Sequence, residues 1–572
     1  MKAIFTFFSL LFCTYVILAQ PITFEMSYGG SSSDGGASII QAANGTYTLT
    51  GHTASSGAGM NDVYLVNIDS AGNELWSSAF GGTALDLGLS VVQASDGGFV
   101  VTGHTDNLGA GNGDVYLVKT DASGNIEWSK TFGTVIPQSG SYMDHTSDGG
   151  YILTGYSADF GTTIYLIKID DVGTEQWSNV YSVVNKDFGN CGHQTSDGGF
   201  IISGTRKGFT GSQSMIAVKT DSIGDTTWTR EIGGSGNDYG LCIIETYDKG
   251  FVMIGSTSSF GAGLDDVYLV KLDASGNTLW TKTFGGTQRD EGKDIRQLPD
   301  SGFIIIGSNA SEGSGLSDLF ILRTDKSGTE LWSRTYGGSL NDYGSGLSIT
   351  SDGGYIFTGR TESIGAGMDD AYVIKTDQYG CINPGSDFSV NNTTPFVAGL
   401  ILFSDLSLSG LLSGSVTAWA WDFGDGNTAT TQNPAHSYGL PGTYTVTMIA
   451  TNSAGCSDTI VKTGYITVTW EGIGISEFEN KLLRVSVIPN PFKTSTEIRI
   501  IAHNENQLRN LSLKVYDLLG KEMRSFELDN HHSLSGNSIT VNFDRDELLA
   551  GLYFYKIESI DGLTHAGKLL IR

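Results

Sequence analysis

The sequence predicts an all-β protein, and three observations carry that prediction. Glycine supplies 78 of 572 residues and aromatic residues 10%, a composition of tight turns and pleated surfaces. Apolar residues fall in short or alternating runs with scarcely any helical period. A "DGG" motif recurs about every 50 residues, a period at which each copy builds one small sheet.

Seven units align on Asn44, Asp96, Asp148, Asp197, Asp248, Asp300 and Asp352. Each reads as four strands, which in the second unit are "GLSVVQAS", "GFVVTGH", "DVYLVKTD" and "IEWSKTF". "SDGG" joins the first two strands, and a "DxxG" such as Asp273 to Gly276 joins the last two. Both suit a type I turn that ends on a glycine at positive φ. The turn aspartates accept hydrogen bonds from local N–H groups, which is cause enough for their recurrence. The further acids of an EF-type calcium loop are absent.

The fourth strand carries Trp76, Trp128, Trp177, Trp228, Trp280 and Trp332, with Phe24 in the equivalent place. Each ring can bury roughly 150–250 Å² against the next unit, roughly 4–6 kcal/mol of gross burial, so these are docking residues. "ITFEMSYGG", residues 22–30, is a fourth strand without its three partners, while the last unit ends at "AYVIKTDQYG" without a fourth strand. If one completes the other, the result is a closed seven-bladed β-propeller with no free sheet edge.

The Asp, Gly and following Trp resemble the tryptophan-docked repeats of quinoprotein-like propellers over residues 22–381. The Asp-to-Trp interval here is one residue shorter, and seven units stand where those dehydrogenases have eight. The "DGGY/F...TG...DVYLVK" pattern is more similar to propellers of exported Bacteroidetes proteins, which implies a surface role and no defined reaction.

Residues 1–19 read as a secretory signal: Lys2, the apolar run from Ile4 to Leu18, then Ala19 as a small residue for cleavage. Cys13 follows Phe12, which argues against a lipoprotein signal. No later stretch reaches the roughly 20 apolar residues of a membrane span. A net charge of −28 excludes nucleic acid as a partner and suits a solvated surface on an exported protein. Beyond the signal lie Cys191, Cys242, Cys381 and Cys456, which have no zinc-site spacing.

Two modules follow the repeats. Trp421, Asp422, Phe423, Gly424, Asp425 and Gly426, then Asn433, Pro434, His436, Tyr438, Gly442 and Tyr444, resemble a PKD domain. The resemblance implies an immunoglobulin-like β-sandwich across 382–470, with Asp422 and Asp425 in turns and His436 packed. Residues 471–481 are a polar linker. "VSVIPNPF", "LKVYDLLGKEM", "LLAGLYFYKI" and terminal "GKLLIR" resemble the type A C-terminal sorting domain of the type IX secretion system. It spans 482–572 and carries Pro489, Asn490, Pro491, Gly520, Gly551 and Lys568 in its motifs. That resemblance implies a second immunoglobulin-like sandwich, the type IX machinery as partner, and removal of the domain after export, with anchoring or release.

Repeats maintain a scaffold, so a site is sought where the copies differ. Eight residues after each anchor stand His52, His104, Tyr156, Thr205, Ser256, Ser308 and Arg360. Arg360, His52, His104 and Tyr156 would occupy four consecutive blades and form one polar sector. A "DxG" opens the first strand at Asp34, Asp86, Asp187, Asp238, Asp290 and Asp342, with Gln138 in the third unit. Another Asp precedes the third strand at 62, 114, 266, 318 and 370, replaced by Thr163 and Ser214. Bonding to loop N–H groups explains these acids; a bound calcium ion or polyhydroxy ligand is the competing reading, and no other cofactor is expected. Cys191 and Cys242 occupy equivalent places six before their anchors. A bridge between them stays open, because neighbouring first strands can lie beyond the roughly 7 Å Cα limit. Cys381 with Cys456 is the other candidate pair.

The reading that follows is a monomeric, non-catalytic secreted or cell-surface protein whose propeller face contacts a glycan or a protein. A glycosidase, such as an endoglucanase, is the alternative. It needs carboxyl pairs roughly 5–5.5 or 6.5–9.5 Å apart, and no acid stands out from its repeat-mates.

Overall fold

The computed structural model describes residues 22–470 apart from 112, 159–161, 182–185, 208–210 and 411–413, and residues 483–572 apart from 504–507, 529–532 and 560–563. The signal segment and the linker 471–481 lie outside the described residues. The described residues contain no α-helix, and no helix long and apolar enough to cross a membrane. The chain divides into two compact units, one of residues 1–391, 402–435 and 445–463, the other of 392–401, 436–444 and 464–572.

In the first unit each repeat is one antiparallel sheet of four strands. The first sheet joins Asp34–Gln41, Tyr47–Thr53, Asp62–Ile68 and Glu74–Phe80 in that order, and the next five repeat it. The seventh joins Asp342–Ile349, Tyr355–Thr361 and Asp370–Thr376, and its fourth strand is Phe24–Tyr28 from the other end of the repeats. The register runs from Phe24↔Lys375 to Tyr28↔Ala371. The Glu25 carboxylate also accepts from the Tyr372 hydroxyl. The first strand of each sheet packs against that of the next, and that of the seventh against that of the first.

Second and third strands are buried on both faces, as in "DVYLVKT" at Asp114–Thr120, because each sheet is covered by a neighbour on either side. They therefore read as nearly continuous apolar runs. One such layer gathers Val115, Leu117, Met143, Leu153 and Ile167. Fourth strands are half exposed, as at Thr278–Phe284.

The six tryptophans are accordingly only partly buried, so their gross burial falls below the 4–6 kcal/mol of a fully covered ring. Each indole lies on the turn glycine of the following sheet: Trp76 on Gly124, Trp128 on Gly173, Trp177 on Gly224, Trp228 on Gly276, Trp280 on Gly328 and Trp332 on Gly380, with Phe24 on Gly72. Those glycines are at φ between +70° and +88°, and any side chain there would meet the ring. The ring is further packed against an aromatic of the same following sheet, as Trp177 on Phe200 at 5.5 Å and Trp228 on Phe251 at 5.7 Å.

The "DGG" turn has a second bond that its sequence does not announce. Gly98 N donates to Asp96 Oδ1 at 2.9 Å, and the same carboxylate takes the Nζ of buried Lys119 at 2.8 Å. The pairing recurs with Lys168, Lys219, Lys271 and Lys375, and as Arg323 with Asp300. The first unit has Asn44 and Asn67 instead, and Asn67 donates to Tyr47 O, Thr46 Oγ1 and Thr48 Oγ1.

Beyond the repeats, Val416–Asp422 pairs with residues 447–452. Trp421 is buried with its ring 5.1 Å from Phe388 and 5.6 Å from Phe403. Asp422 and Asp425 accept from Gly424 N at 2.8 Å and Asn427 N at 3.0 Å. A disulfide joins Cys381 to Cys456.

In the second unit, His436 packs edge-on to Tyr438 at 4.7 Å. Residues 483–572 form two four-stranded sheets over a core that includes Ile498, Ile500, Leu513, Val541 and Ile557. Asn490, between Pro489 and Pro491, donates to Lys568 O at 2.8 Å and accepts from Leu570 N at 2.8 Å. It thereby ties the first motif to the terminal strand. Gly520 closes the Asp517 turn at φ +80°, and Gly551 starts the strand that pairs with the terminal one.

Candidate functional site

At the beginning of every first strand but the third, which has Gln138, the "DxG" aspartate is fully buried, which a carboxylate tolerates only when donors surround it. Asp238 accepts from Gly234 N at 2.8 Å, Ser259 Oγ at 2.7 Å and the Thr257 hydroxyl. Asp34, Asp86, Asp290 and Asp342 repeat the glycine N–H bond at 2.7–2.9 Å. Asp187 pairs with Arg206 at 3.0 Å. These residues staple the loop between sheets.

The acids before third strands face the glycine one residue before each of these donors. A Cβ on Gly29 would collide with carboxylates of both Asp370 and Asp34, and the same holds at Gly81 for Asp62 and Asp86, at Gly285 for Asp266 and Asp290, and at Gly337 for Asp318 and Asp342. Gly133 has Asp114 and Gln138. One buried oxygen each of Asp34, Asp62, Asp86 and Asp114 has no hydrogen-bond partner. Burial, with the facing acid adding to it, pushes the carboxyls of Asp266, Asp318 and Asp370 above the usual range. Two carboxylates whose outer oxygens already accept loop N–H groups fall short of the six to eight oxygens of a calcium shell.

The sector residues are ends of second strands, each opposite the residue inside a "DxG": His52↔Gly35, His104↔Leu87, Tyr156↔Ser139 and Arg360↔Tyr343. Arg360 stacks over the Tyr343 ring at 4.7 Å, 3.6 Å from Asp369, and its side chain is 48% exposed. His52 lies over Gly35; burial pushes it below the usual histidine range, opposed by Asp369 and Asp34 and assisted by Arg360. Asp369 thus lies beside Arg360 and acts electrostatically on His52. His104 pairs with Asp106 at 2.8 Å, and Tyr156 meets Phe188 edge-on at 5.4 Å. Tyr343 and Phe188, missed as site residues, are both the middle residue of a "DxG", the one variable place in that motif.

Toward the other end of the first strands lies a second polar group. His193 Nδ1 is 2.7 Å from Asp144 Oδ2 on the neighbouring sheet. Its Nε2 is 3.4 Å from Cys191 Sγ and 4.0 Å from Cys242 Sγ. Tyr142 packs edge-on to the imidazole at 5.0 Å, and Arg296 reaches the Tyr142 hydroxyl at 3.5 Å while paired to Asp294. Burial raises the Asp144 carboxyl, but His193 first, with the His145 N–H and Arg296 after it, together hold Asp144 below the usual range. Cys191 and Cys242 form a disulfide with Cα atoms 4.9 Å apart, inside the geometric limit because adjacent first strands pack directly together here. The signal for this group is positional: six and four residues before their anchors the third, fourth and sixth units have Tyr142 and Asp144, Cys191 and His193, and Asp294 and Arg296, where the first, second and seventh have Ser38 and Ile40, Ser90 and Val92, and Gly346 and Ser348, all small or apolar.

Residues 390–468 match the family model described as PKD domain, and residues 486–572 that described as Secretion system C-terminal sorting domain. Regulatory protein FlaEY of Caulobacter vibrioides is 28% identical over 144 residues, 23% of this chain and 15% of that protein. Pre-pro-metalloprotease PrtV of Vibrio cholerae is 34% identical over 91 residues, 15% of this chain and 10% of that protein. The solved PKD1 domain of the same Vibrio cholerae metalloprotease is 31% identical, covers 15% of this chain and 98% of that one, and has a TM-score of 0.13. The chain thus spans only a small part of the length of these curated relatives. It carries a PKD domain and a type IX secretion C-terminal sorting domain, and is exported to the cell surface or secreted.

Proposed function

We propose that residues 20–381 form a closed seven-bladed β-propeller, that 382–470 carry the PKD module as a spacer, and that 482–572 are the export signal removed on the way out. The propeller is a non-catalytic binding module for a glycan at the cell surface or outside it. The circular adjacency of the seven sheets and the pairing of Phe24–Tyr28 with Asp370–Thr376 support closure.

One observation carries the binding reading. Arg360, half exposed, lies over the Tyr343 ring beside Asp369 and within electrostatic reach of His52. A guanidinium, a carboxylate and an imidazole around an aromatic face offer donors, acceptors and an apolar platform, which is the lining that orients a polyhydroxy ligand. The glycosidase alternative lacks such support, because the "DxG" acids are buried and already accept loop hydrogens. The protease names of relatives attach to matches over about a quarter of this chain (26%) or less, and no protease reading is taken from them.

A glycan array probed with the mature chain tests the proposal. Binding that falls at least about tenfold in Arg360→Ala and Tyr343→Ala, an effect of about 1.4 kcal/mol, supports it. Binding untouched by changes at Arg360, Tyr343 and His52 removes this site, and turnover of any polysaccharide replaces it with an enzyme.

A further inference from the structure

We infer that Cys191, Cys242 and His193, when the two cysteines are reduced, are a zinc(II) site oriented by Asp144. The three ligand atoms come from two adjacent first strands and lie within 4.8 Å of one another. In a tetrahedral site with Zn–S near 2.3 Å and Zn–N near 2.0–2.1 Å, sulfur and nitrogen ligands are about 3.6 Å apart. The imidazole Nε2 is 3.4 and 4.0 Å from the two sulfurs, so the nitrogen already stands at ligand distance from both.

Asp144 supplies the second independent feature. Its carboxylate holds Nδ1 at 2.7 Å, which keeps the proton on that nitrogen and aims Nε2 at the sulfurs. A carboxylate behind the histidine is the usual outer partner of a zinc-bound imidazole. Tyr142, edge-on at 5.0 Å, limits ring rotation. A disulfide alone would not call for a histidine aimed between its sulfurs and a carboxylate behind that histidine. Three protein ligands are the number found in zinc sites that keep a position open for a further ligand.

The disulfide and the metal are alternative states of one pair of sulfurs. A water-soluble phosphine breaks the Cys191–Cys242 bond: it gives up its electron pair, takes the oxygen of one water and becomes the phosphine oxide, and that water's two hydrogens end on the two sulfurs as thiols. Zinc then displaces both thiol protons to the buffer.

The test uses the mature chain, oxidised and phosphine-reduced, with zinc chloride measured against a chromophoric chelator and cobalt(II) as a spectroscopic probe. One zinc per reduced chain, none per oxidised chain and a sulfur-to-cobalt charge-transfer band are expected. Asp144→Asn weakens zinc about 10- to 100-fold, and the Cys191→Ser, Cys242→Ser double variant, which keeps Cys381 and Cys456, loses the site. His193→Gln, which retains the disulfide and so reports on a chain that folds, loses the band after reduction. No uptake by the reduced chain, whether folded or not by near-ultraviolet circular dichroism, overturns the proposal. Uptake unchanged in His193→Gln or in the double serine variant overturns it too.

Discussion

Lys375 Nζ lies 2.9 Å from Asp352 with no part of its side chain exposed, while the carboxylate is 35% exposed. Burial pulls the Lys375 ammonium below the usual lysine range, and Asp352 works against that. Asp352→Asn leaves a buried cation with no counter-charge, held only by neutral acceptors such as the Thr376 carbonyl at 2.9 Å. A cost of about 2–3 kcal/mol is expected, the low side of what breaking a buried pair costs because solvent screens the carboxylate. Asp352→Asn with Lys375→Asn copies Asn44 and Asn67 and recovers part of the loss. Recovery is partial because Gly354 and Ile356 stand where Thr46 and Thr48 accept from Asn67. Denaturant midpoints of the three variants check this.

The same turns predict an acid limit. Asp148 is held down to about 2, by the Thr146 hydroxyl first and Lys168 after it, against burial. An acid whose folded pKa is depressed adds stability above its ordinary pKa near 3.8 and loses it as pH falls through the folded value. Melting temperature should therefore fall between about pH 4 and pH 2, and in Asp148→Asn that slope should be shallower.

At the docking contact, Gly328→Ala places a Cβ against the Trp280 ring and leaves a non-glycine residue at φ +75°. The backbone term alone is about 1–2 kcal/mol, and the overlap adds to it. Trp280→Ala should cost about 3 kcal/mol, the low end for a large ring because the indole is only partly buried. Equal losses from Gly328→Ala and Gly97→Ala, whose Cβ meets nothing within 4 Å, would remove the ring contact as the cause.

Deletion of residues 22–30 removes buried Phe24 and Tyr28, each about 1.5–3 kcal/mol, and bares the edge of Asp370–Thr376. A loss of at least about 3 kcal/mol and concentration-dependent association through the free edge are expected, read by calorimetry and light scattering. Unchanged melting would show that the strand is dispensable.

Asp370 shares Gly29 with Asp34, and burial raises its carboxyl. An acid whose folded pKa is raised destabilises the ionised native state above that pKa, and the penalty is relieved as pH falls through it. Asp370→Asn should therefore melt higher than the parent at pH 7, with the difference shrinking toward pH 4. A bound calcium ion would reverse the sign and make the parent sensitive to chelator.

Asn490→Ala removes two hydrogen bonds to the terminal strand, worth about 1–2 kcal/mol together. Lower surface or secreted yield at unchanged intracellular synthesis is the expected outcome, measured by immunoblot of fractions.

The sequence by itself determined the all-β class, the seven four-stranded units and the two C-terminal modules, because hydrogen bonding within a hairpin and the turn glycines are local in the chain. Gly276 and Gly328 can be read as turn residues from "DxxG" alone. That each one also seats a tryptophan about 48 residues away is decided by how neighbouring sheets pack. Tertiary structure likewise decided that "DxG" acids face a second acid, that Arg360 lies on Tyr343, and that His193 points between Cys191 of its own strand and Cys242 of the neighbouring one. The facing acids and the His193 contacts to Asp144 and Cys242 join different copies of the repeat, and a pattern that recurs along the chain has no term for distance across it; Arg360 and Tyr343 face each other within one copy, but only the strand register puts them opposite.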